Sequence, residues 1–496
     1  LTVGHNTRIE TTDFVSVSGN DLIIPDFYNV STRTGELIGS EATTEYRRMG
    51  AYADFTLGYK NYLFLNLIAR NDWSSALNIN DNSFFYPGAG LSFVATDAFP
   101  GLKSENGLSY LKANFSITKT GNDPFAYQNN STFTTPSNFP YANTVGLSQS
   151  SDAPDPFLGP EFTTSIEAGI EITVLKDRLS LIATGYQTNT VDQIIPVNVS
   201  LASGATTNVV NVGEIENKGL ELDLKSTLVS TNDFSWKMNL NYTGFKSEVL
   251  ELTEGVQEIE IGAAAAAGAR IVARVGESFP LLRTTAYERD PQGRIVVDAD
   301  GDPIQDTQEQ IQGSTVPDYI LGGNTTIKYK NLRLYASADY RTGHVFYNNL
   351  YDALEFTGLT PHSVESGRQP FVFPNSSYAD GNGGFTANTT RLTSGGGNAF
   401  WDSYNEIKEN YVTDATSLRL REVSLTYDFD ADFLDQIGLS ELTLGIFGRN
   451  LVTWLPKENK ITDPEFGLNT GNAVGIGTQQ QGPPSRTFGA SLTVKF

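Results

Sequence analysis

Apolar and polar side chains alternate with a period of two along much of the chain. Phe488, Ala490, Leu492, Val494 and Phe496 interleave with Thr487, Gly489, Ser491, Thr493 and Lys495. The pattern returns in Val423, Leu425, Tyr427 and Phe429, in Leu442, Leu444 and Ile446, and in Leu332, Leu334, Ala336, Ala338 and Tyr340. Further upstream it runs through Phe234 to Tyr242, Leu220 to Leu224, Leu111 to Ile117, Leu63 to Leu67 and Ala51 to Leu57. Successive side chains of a strand point to opposite faces, so each stretch predicts a strand with one face in an apolar medium and the other in a polar one. Sandwich strands average about five or six residues. These stretches are longer, and their polar faces carry charge (Glu221, Asp223 and Lys225; Arg333, Asp339 and Arg341). That combination favours an antiparallel transmembrane β-barrel with lipid outside and a watery lumen inside.

Connection lengths fall into two classes. Tyr59-Lys60-Asn61, Lys176-Asp177-Arg178, Ser230-Thr231-Asn232-Asp233 and Tyr329-Lys330-Asn331 are tight, whereas Ala76 to Ser83, Asp123 to Glu161, Asp192 to Val212, Glu251 to Pro317, Thr342 to Thr416 and Leu455 to Ser485 are long. Tight and long connections alternate, as short periplasmic turns and long extracellular loops do, and counting back from Phe496 gives about fourteen strands, the first within Thr2 to Ser18. Tyr59, Tyr62, Phe234, Trp236, Tyr329, Tyr427 and Phe429 lie near the tight turns and read as an aromatic girdle.

Composition narrows the function. The chain has 34 Lys and Arg against 57 Asp and Glu, a net charge of −23, which argues against nucleic acid as a partner. Cysteine is absent and the three histidines, His5, His344 and His362, are far apart, so neither a thiol nucleophile nor a zinc spacing is available. No enzyme activity and no cofactor is expected. Asp298-Ala299-Asp300-Gly301-Asp302 gathers three carboxylates and is a weak calcium candidate. Its glycine falls too early for an EF-hand loop, and an Asp-Gly hairpin between Arg294 to Val297 and Pro303-Ile304 explains it better. Ala263 to Ala267, between Gly262 and Gly268, reads as a short helix or a loop segment without chemistry. The long loops are rich in aromatics: Phe125, Tyr127, Phe133, Phe139 and Tyr141; Phe346, Tyr347 and Tyr351; Phe400, Trp401 and Tyr404. Rings beside Asn and Asp suit stacking on a sugar and serve a peptide equally well; Tyr127, Phe346, Tyr347, Trp401 and Tyr404 are the candidate substrate-binding residues.

Several segments resemble landmarks of one family, the SusC-like (SusC/RagA) TonB-dependent outer-membrane transporters. Arg70-Asn71-Asp72-Trp73-Ser74-Ser75, Phe85-Tyr86-Pro87 and Leu111-Lys112 to Thr120-Gly121-Asn122 come first. Asn211 to Glu221, Ser417 to Tyr427 and Gly448-Arg449-Asn450-Leu451 follow in family order. The resemblance implies import of oligosaccharides or peptides across the bacterial outer membrane, with a SusD-like lipoprotein over the mouth, TonB as the energy source, and lipid and lipopolysaccharide around the wall. It also implies a barrel of about twenty-two strands around a plug. With no plug, TonB box or first strands in view, residues 1–496 read as the C-terminal part of that barrel, and TonB would be reached through the missing N-terminal region. The rival reading is a passive porin-like or secretion-associated barrel that needs no plug; a secreted adhesin leaves the two loop classes unexplained.

Overall fold

A computed structural model describes residues 1–136, 144–253, 255–263, 268–429, 434, 438–459, 461–482 and 484–496. Phe139, Tyr141 and residues 264–267 lie outside this set. Fourteen strands follow one another in an antiparallel path: β1 (Thr2–Leu22), β2 (Arg33–Tyr59), β3 (Leu63–Ser74), β4 (Ser83–Val94), β5 (Leu108–Asn122), β6 (Glu161–Val174) and β7 (Leu179–Asn198), then β8 (Thr207–Ser230), β9 (Phe234–Glu251), β10 (Tyr319–Tyr329), β11 (Leu332–Thr342), β12 (Ser417–Asp428), β13 (Glu441–Trp454) and β14 (Thr487–Lys495). A fifteenth, two-residue strand, Asp152–Ala153, joins the sheet alongside β8. Each strand of the path pairs with the next in sequence, as in an up-and-down barrel, and among the described residues no pairing joins β1 to β14.

The alternation is realised as exposure. Leu57, Leu67, Leu91, Phe115, Leu220, Leu240, Leu444 and Leu492 are all exposed, and Leu222 and Leu224 are half-exposed, so none enters a packed sandwich core. A continuous apolar face left open along consecutive strands matches a lipid-facing wall. Replacing Leu222 with arginine is therefore expected to destabilise the barrel by about 2–4 kcal/mol if it lies near the bilayer midplane. Glu221→Arg, on the opposite face, should be nearly neutral. Equilibrium unfolding in lipid vesicles measures both.

The tight turns bend through left-handed residues: Lys60 and Asn61 have φ of 47° and 59°, and Leu175, Lys176 and Asp177 have 58°, 58° and 62°. Such values match the twist of a hairpin. Tyr59, Tyr62, Phe93 and Phe99 form an edge-to-face chain beside these turns, with ring centroids 5.6, 6.0 and 6.3 Å apart. Tyr427 and Phe429 form another such contact at 5.1 Å. The connections on the turn side are not all tight, because residues 95–107 hold a short helix α1 (Ala95–Ala98) and the 3₁₀ turn Pro100–Leu102.

One loop boundary differs from the sequence reading. Asp192 to Val212 is largely strand, since β7 runs to Asn198 and β8 begins at Thr207. The register steps from Val191↔Glu214 to Gln193↔Val212, with Asp192 (φ 56°) and Gly213 (φ 85°) between them. The register itself is unbroken, since Asp192 and Gly213 stand opposite each other; their left-handed backbones kink both strands at once, and the clean alternation stops there while the pairing continues.

Little of the buried apolar core lies in the wall. One cluster joins Ile195, Val212, Ile215 and Val249 to Ile259, Ala273 and Phe279; a second joins Ile271 and Leu282 to Tyr347, Tyr411 and Ile476; a third contains Tyr287, Phe373, Phe400 and Trp401. All three are built chiefly from residues of the long connections and the strand ends that feed them. These connections therefore form a folded crown over the mouth.

Candidate functional site at the mouth

Three connections, residues 252–318, 343–416 and 455–486, interlock. The first contributes a four-stranded sheet of Glu258–Ala263, Ala269–Arg274, Leu281–Thr284 and Gln310–Ser314. The second contributes helices α2 (Asn349–Phe356) and α3 (Asn398–Glu406). Thr285 stitches the two together: its hydroxyl donates to Glu406 O at 2.7 Å and accepts from Lys408 N–H at 2.9 Å, and its carbonyl accepts from Glu409 N–H at 3.0 Å. The third connection is tied by Tyr347, which donates its N–H to Gly475 O at 2.8 Å and accepts from Gly477 N–H at 2.9 Å. At the centre, buried Asp352 accepts from Lys408 Nζ at 3.2 and 3.3 Å, from Asn405 Nδ2 and from the Tyr347 hydroxyl. Burial pushes the Tyr347 and Tyr411 hydroxyls well above the usual tyrosine range.

The five aromatic candidates do not converge. Phe346 and Tyr347 are 2% and 0% exposed; Tyr347 lies within the second cluster, and both rings pack inside the crown. Tyr127 (φ 68°) stands apart and accepts from Glu45 N–H at 3.1 Å, bracing its own loop against β2. Trp401 and Tyr404 do meet, one turn apart on α3, with centroids 5.1 Å apart. Their helix begins after Gly397, and Phe400, Trp401 and Tyr404 share its buried stripe. They line a cavity of ≈ 360 Å³ together with His362, Glu365, Ser366, Phe371 and Phe373. Sequence reasoning missed Phe371 and Phe373, although Pro370-Phe371-Val372-Phe373-Pro374 was a visible signal: a period of two fenced by prolines that end any regular element.

A second site lies where the polar face of β11 and β12 meets the third connection. Arg419, buried on β12, makes a two-pronged contact with Asp463, one arm being Nη1 to Oδ2 at 2.7 Å. Arg421 bridges Asp339 and Glu465, and Arg341 reaches Glu465 at 3.1 Å. Burial alone would raise the Asp463 carboxyl; the Arg419 guanidinium outweighs it and holds the group below its ordinary value. Beside this hook a cavity of ≈ 650 Å³ is lined by Arg341, His344, Phe346, Glu465 and Asn469 among others.

Burial pushes His344 down to about 4, and its Nδ1 has no hydrogen-bond partner. The folded state thus binds fewer protons than the unfolded state between an ordinary histidine value near 6.5 and 4. Crown stability should hold above pH about 6.5 and fall as the pH drops from there toward 4. Limited proteolysis at pH 7.5 and pH 4.5 checks this, and His344→Gln should flatten the difference.

Asp298, Asp300 and Asp302 form the expected Asp-Gly turn. Asp298 Oδ1 accepts from the N–H groups of Asp300 and Asp302 at 2.9 and 3.0 Å, and Gly301 takes φ of 83°. The Asp300 carboxylate accepts from Thr393 Oγ1 at 2.7 Å and that of Asp302 from Ser394 Oγ at 3.2 Å, clasping the hairpin to residues 393–394. The carboxylates are thus used by the turn and the clasp, and among the described residues no three His, Cys, Asp or Glu gather as a metal site.

Fold and mouth together define an outer-membrane β-barrel with a structured extracellular crown. The family described as TonB dependent receptor-like, beta-barrel, matches residues 2–451, and the chain belongs to it. It is 28% identical over 480 residues to TonB-dependent receptor P26 of Formosa agariphila, covering 88% of this chain and 45% of that protein. It is 25% identical over 470 residues to TonB-dependent receptor SusC of Bacteroides thetaiotaomicron, covering 88% and 43%. Among solved structures, that of the RagAB peptide transporter superposes with a TM-score of 0.77 at 21% identity, over 100% of this chain and 53% of that one. The SusC-like resemblance read from the motifs therefore holds, in a family of receptors and transporters. The chain spans about half the length of the curated relatives it matches.

Proposed function

We propose that these strands belong to an energised importer that takes up oligosaccharides or peptides with a SusD-like surface lipoprotein over the mouth. The observation that carries this reading is the crown: three connections with cores of their own roof a wall whose inner face is polar and charged, and loops this long and this ordered are usually functional. Residues 252–318 and 343–416 are the surfaces offered to the lipoprotein. A β1 edge left open in lipid costs several kcal/mol for each unsatisfied backbone group. Further strands of the same barrel, a plug and a TonB-contacting segment complete the assembly in this reading, with lipid against the apolar wall and lipopolysaccharide around its long-loop end.

Deleting the gene, or depleting TonB, should abolish growth on one polymer-derived oligosaccharide or peptide source. Uptake that persists without TonB would support the passive porin-like rival instead. Shortening residues 252–318 and 343–416 together should lose the lipoprotein from pull-downs of the intact transporter while the barrel still assembles. Undiminished co-purification would move that contact elsewhere.

A further inference from the structure

The cavity beside α3 has a chemistry that selects among the two substrate classes. Its walls are aromatic rings packed closely on one another: centroids are 5.0 Å apart for Phe400 and Trp401, 5.1 Å for Trp401 and Tyr404, and 5.2 Å for Phe371 and Phe400. Glu365 lines the same cavity, is exposed, and makes no ion pair among the described residues. Beneath the rings Glu355 is 1% exposed, and its Oε1 is bonded to Thr360 Oγ1 at 3.1 Å and to His362 Nδ1 at 2.9 Å. Ser366, also on the lining, has a buried hydroxyl without a hydrogen-bond partner.

Residues 343–416 carry eight Asp and Glu against three Lys and Arg, and one of those three, Lys408, is buried on Asp352. This connection is therefore net negative, and Glu365 sets one of its carboxylates on the cavity itself. A pyranose ring would bring several hydroxyls, each needing a partner, to a wall that offers few polar atoms. A long basic side chain fits better: its methylene stem lies against apolar rings while its charged head meets ring faces and a carboxylate.

Resting on the importer reading above, we propose that this cavity holds the lysine or arginine side chain of a peptide substrate. The rings of Trp401, Tyr404 and half-buried Phe371 form the cage, Glu365 meets the ammonium or guanidinium at the lip, and the Ser366 hydroxyl supplies a further acceptor. The crown then chooses peptides by a basic residue before they enter the lumen.

Calorimetric titration of the intact, full-length transporter tests this with two blocked peptides, acetyl-Ala-Lys-Ala-amide and its norleucine counterpart. The lysine peptide is expected to bind about tenfold more tightly at low salt, a difference of ~1.4 kcal/mol. Glu365→Gln should erase that preference, whereas Asp380→Asn, which removes a charge from the same connection at a backbone turn, should keep it. Because Glu365 is exposed, its replacement does not threaten folding. Equal binding of the two peptides, or a preference that survives Glu365→Gln, overturns the proposal. If TonB-dependent peptide uptake continues in that case, the importer reading stands and only the site falls. Growth on an oligosaccharide with no peptide binding at all would overturn the site and with it the peptide branch of that reading.

Discussion

Replacing Asp352 with alanine is expected to unravel the crown at a cost of about 3–5 kcal/mol, the usual penalty for stripping one partner from a buried ion pair. Lys408 is 3% exposed and Asp352 is its only carboxylate among the described contacts. The same carboxylate accepts from Asn405 and from the Tyr347 hydroxyl, so its loss leaves several buried donors unmatched at once. The wall, whose strands pair through backbone hydrogen bonds, should be untouched. Trypsin should therefore cut within residues 343–416 while the barrel keeps its heat-dependent electrophoretic shift. The pair Asp352→Leu and Lys408→Met should recover part of the loss, because two apolar side chains strand no charge. An Asp352→Ala protein as protease-resistant as the parent would show that the crown rests on its apolar clusters alone.

The wall and the crown were not equally legible in the sequence. The wall was readable because lipid on one side and lumen on the other impose a period of two on residues such as Leu220 to Lys225, whatever their distant neighbours are. Readability failed where the left-handed backbones of Asp192 and Gly213, opposite each other in an unbroken register, kink the two strands, so paired strand passed for loop. The Asp298 to Asp302 hairpin was readable because Asp-Gly has a local turn preference. The crown's core was not, because its contacts join residues far apart: Tyr347 packs with Ile271 and Ile476, and nothing local to Val474-Gly475-Ile476-Gly477 marks Ile476 as buried. For the same reason composition could not separate Phe346 and Tyr347 from Trp401 and Tyr404. All four are loop aromatics, and only the tertiary neighbours decide that Tyr347 is enclosed in the crown's core while Phe346 edges one cavity and Trp401 and Tyr404 another.

The acidic hook should be the other weak point of the mouth. Arg419→Ala would leave the Asp463 carboxylate, 3% exposed as a residue, without its two-pronged partner, and a loss of about 3–5 kcal/mol is expected from the docking of residues 455–486. Arg421→Ala should cost less, since Arg421 and Glu465 are partly exposed and water screens them. Salt separates the two, because screening acts on exposed pairs far more than on buried ones. Raising the ionic strength from 0.05 to about 0.5 M should weaken the contribution of Arg421 and leave that of Arg419 largely intact. Exchanging the charges, Arg419→Asp with Asp463→Arg, should restore only part of the stability, because the new carboxylate would face Glu465, which now lies 3.2 Å from Arg419. A double-mutant cycle on Arg419 and Asp463, read by proteolysis between Thr462 and Gln481, measures the coupling directly. A coupling near zero would mean that the hook is held by its backbone and neighbouring loops, and the charged wall of β11 and β12 would then be free to meet substrate.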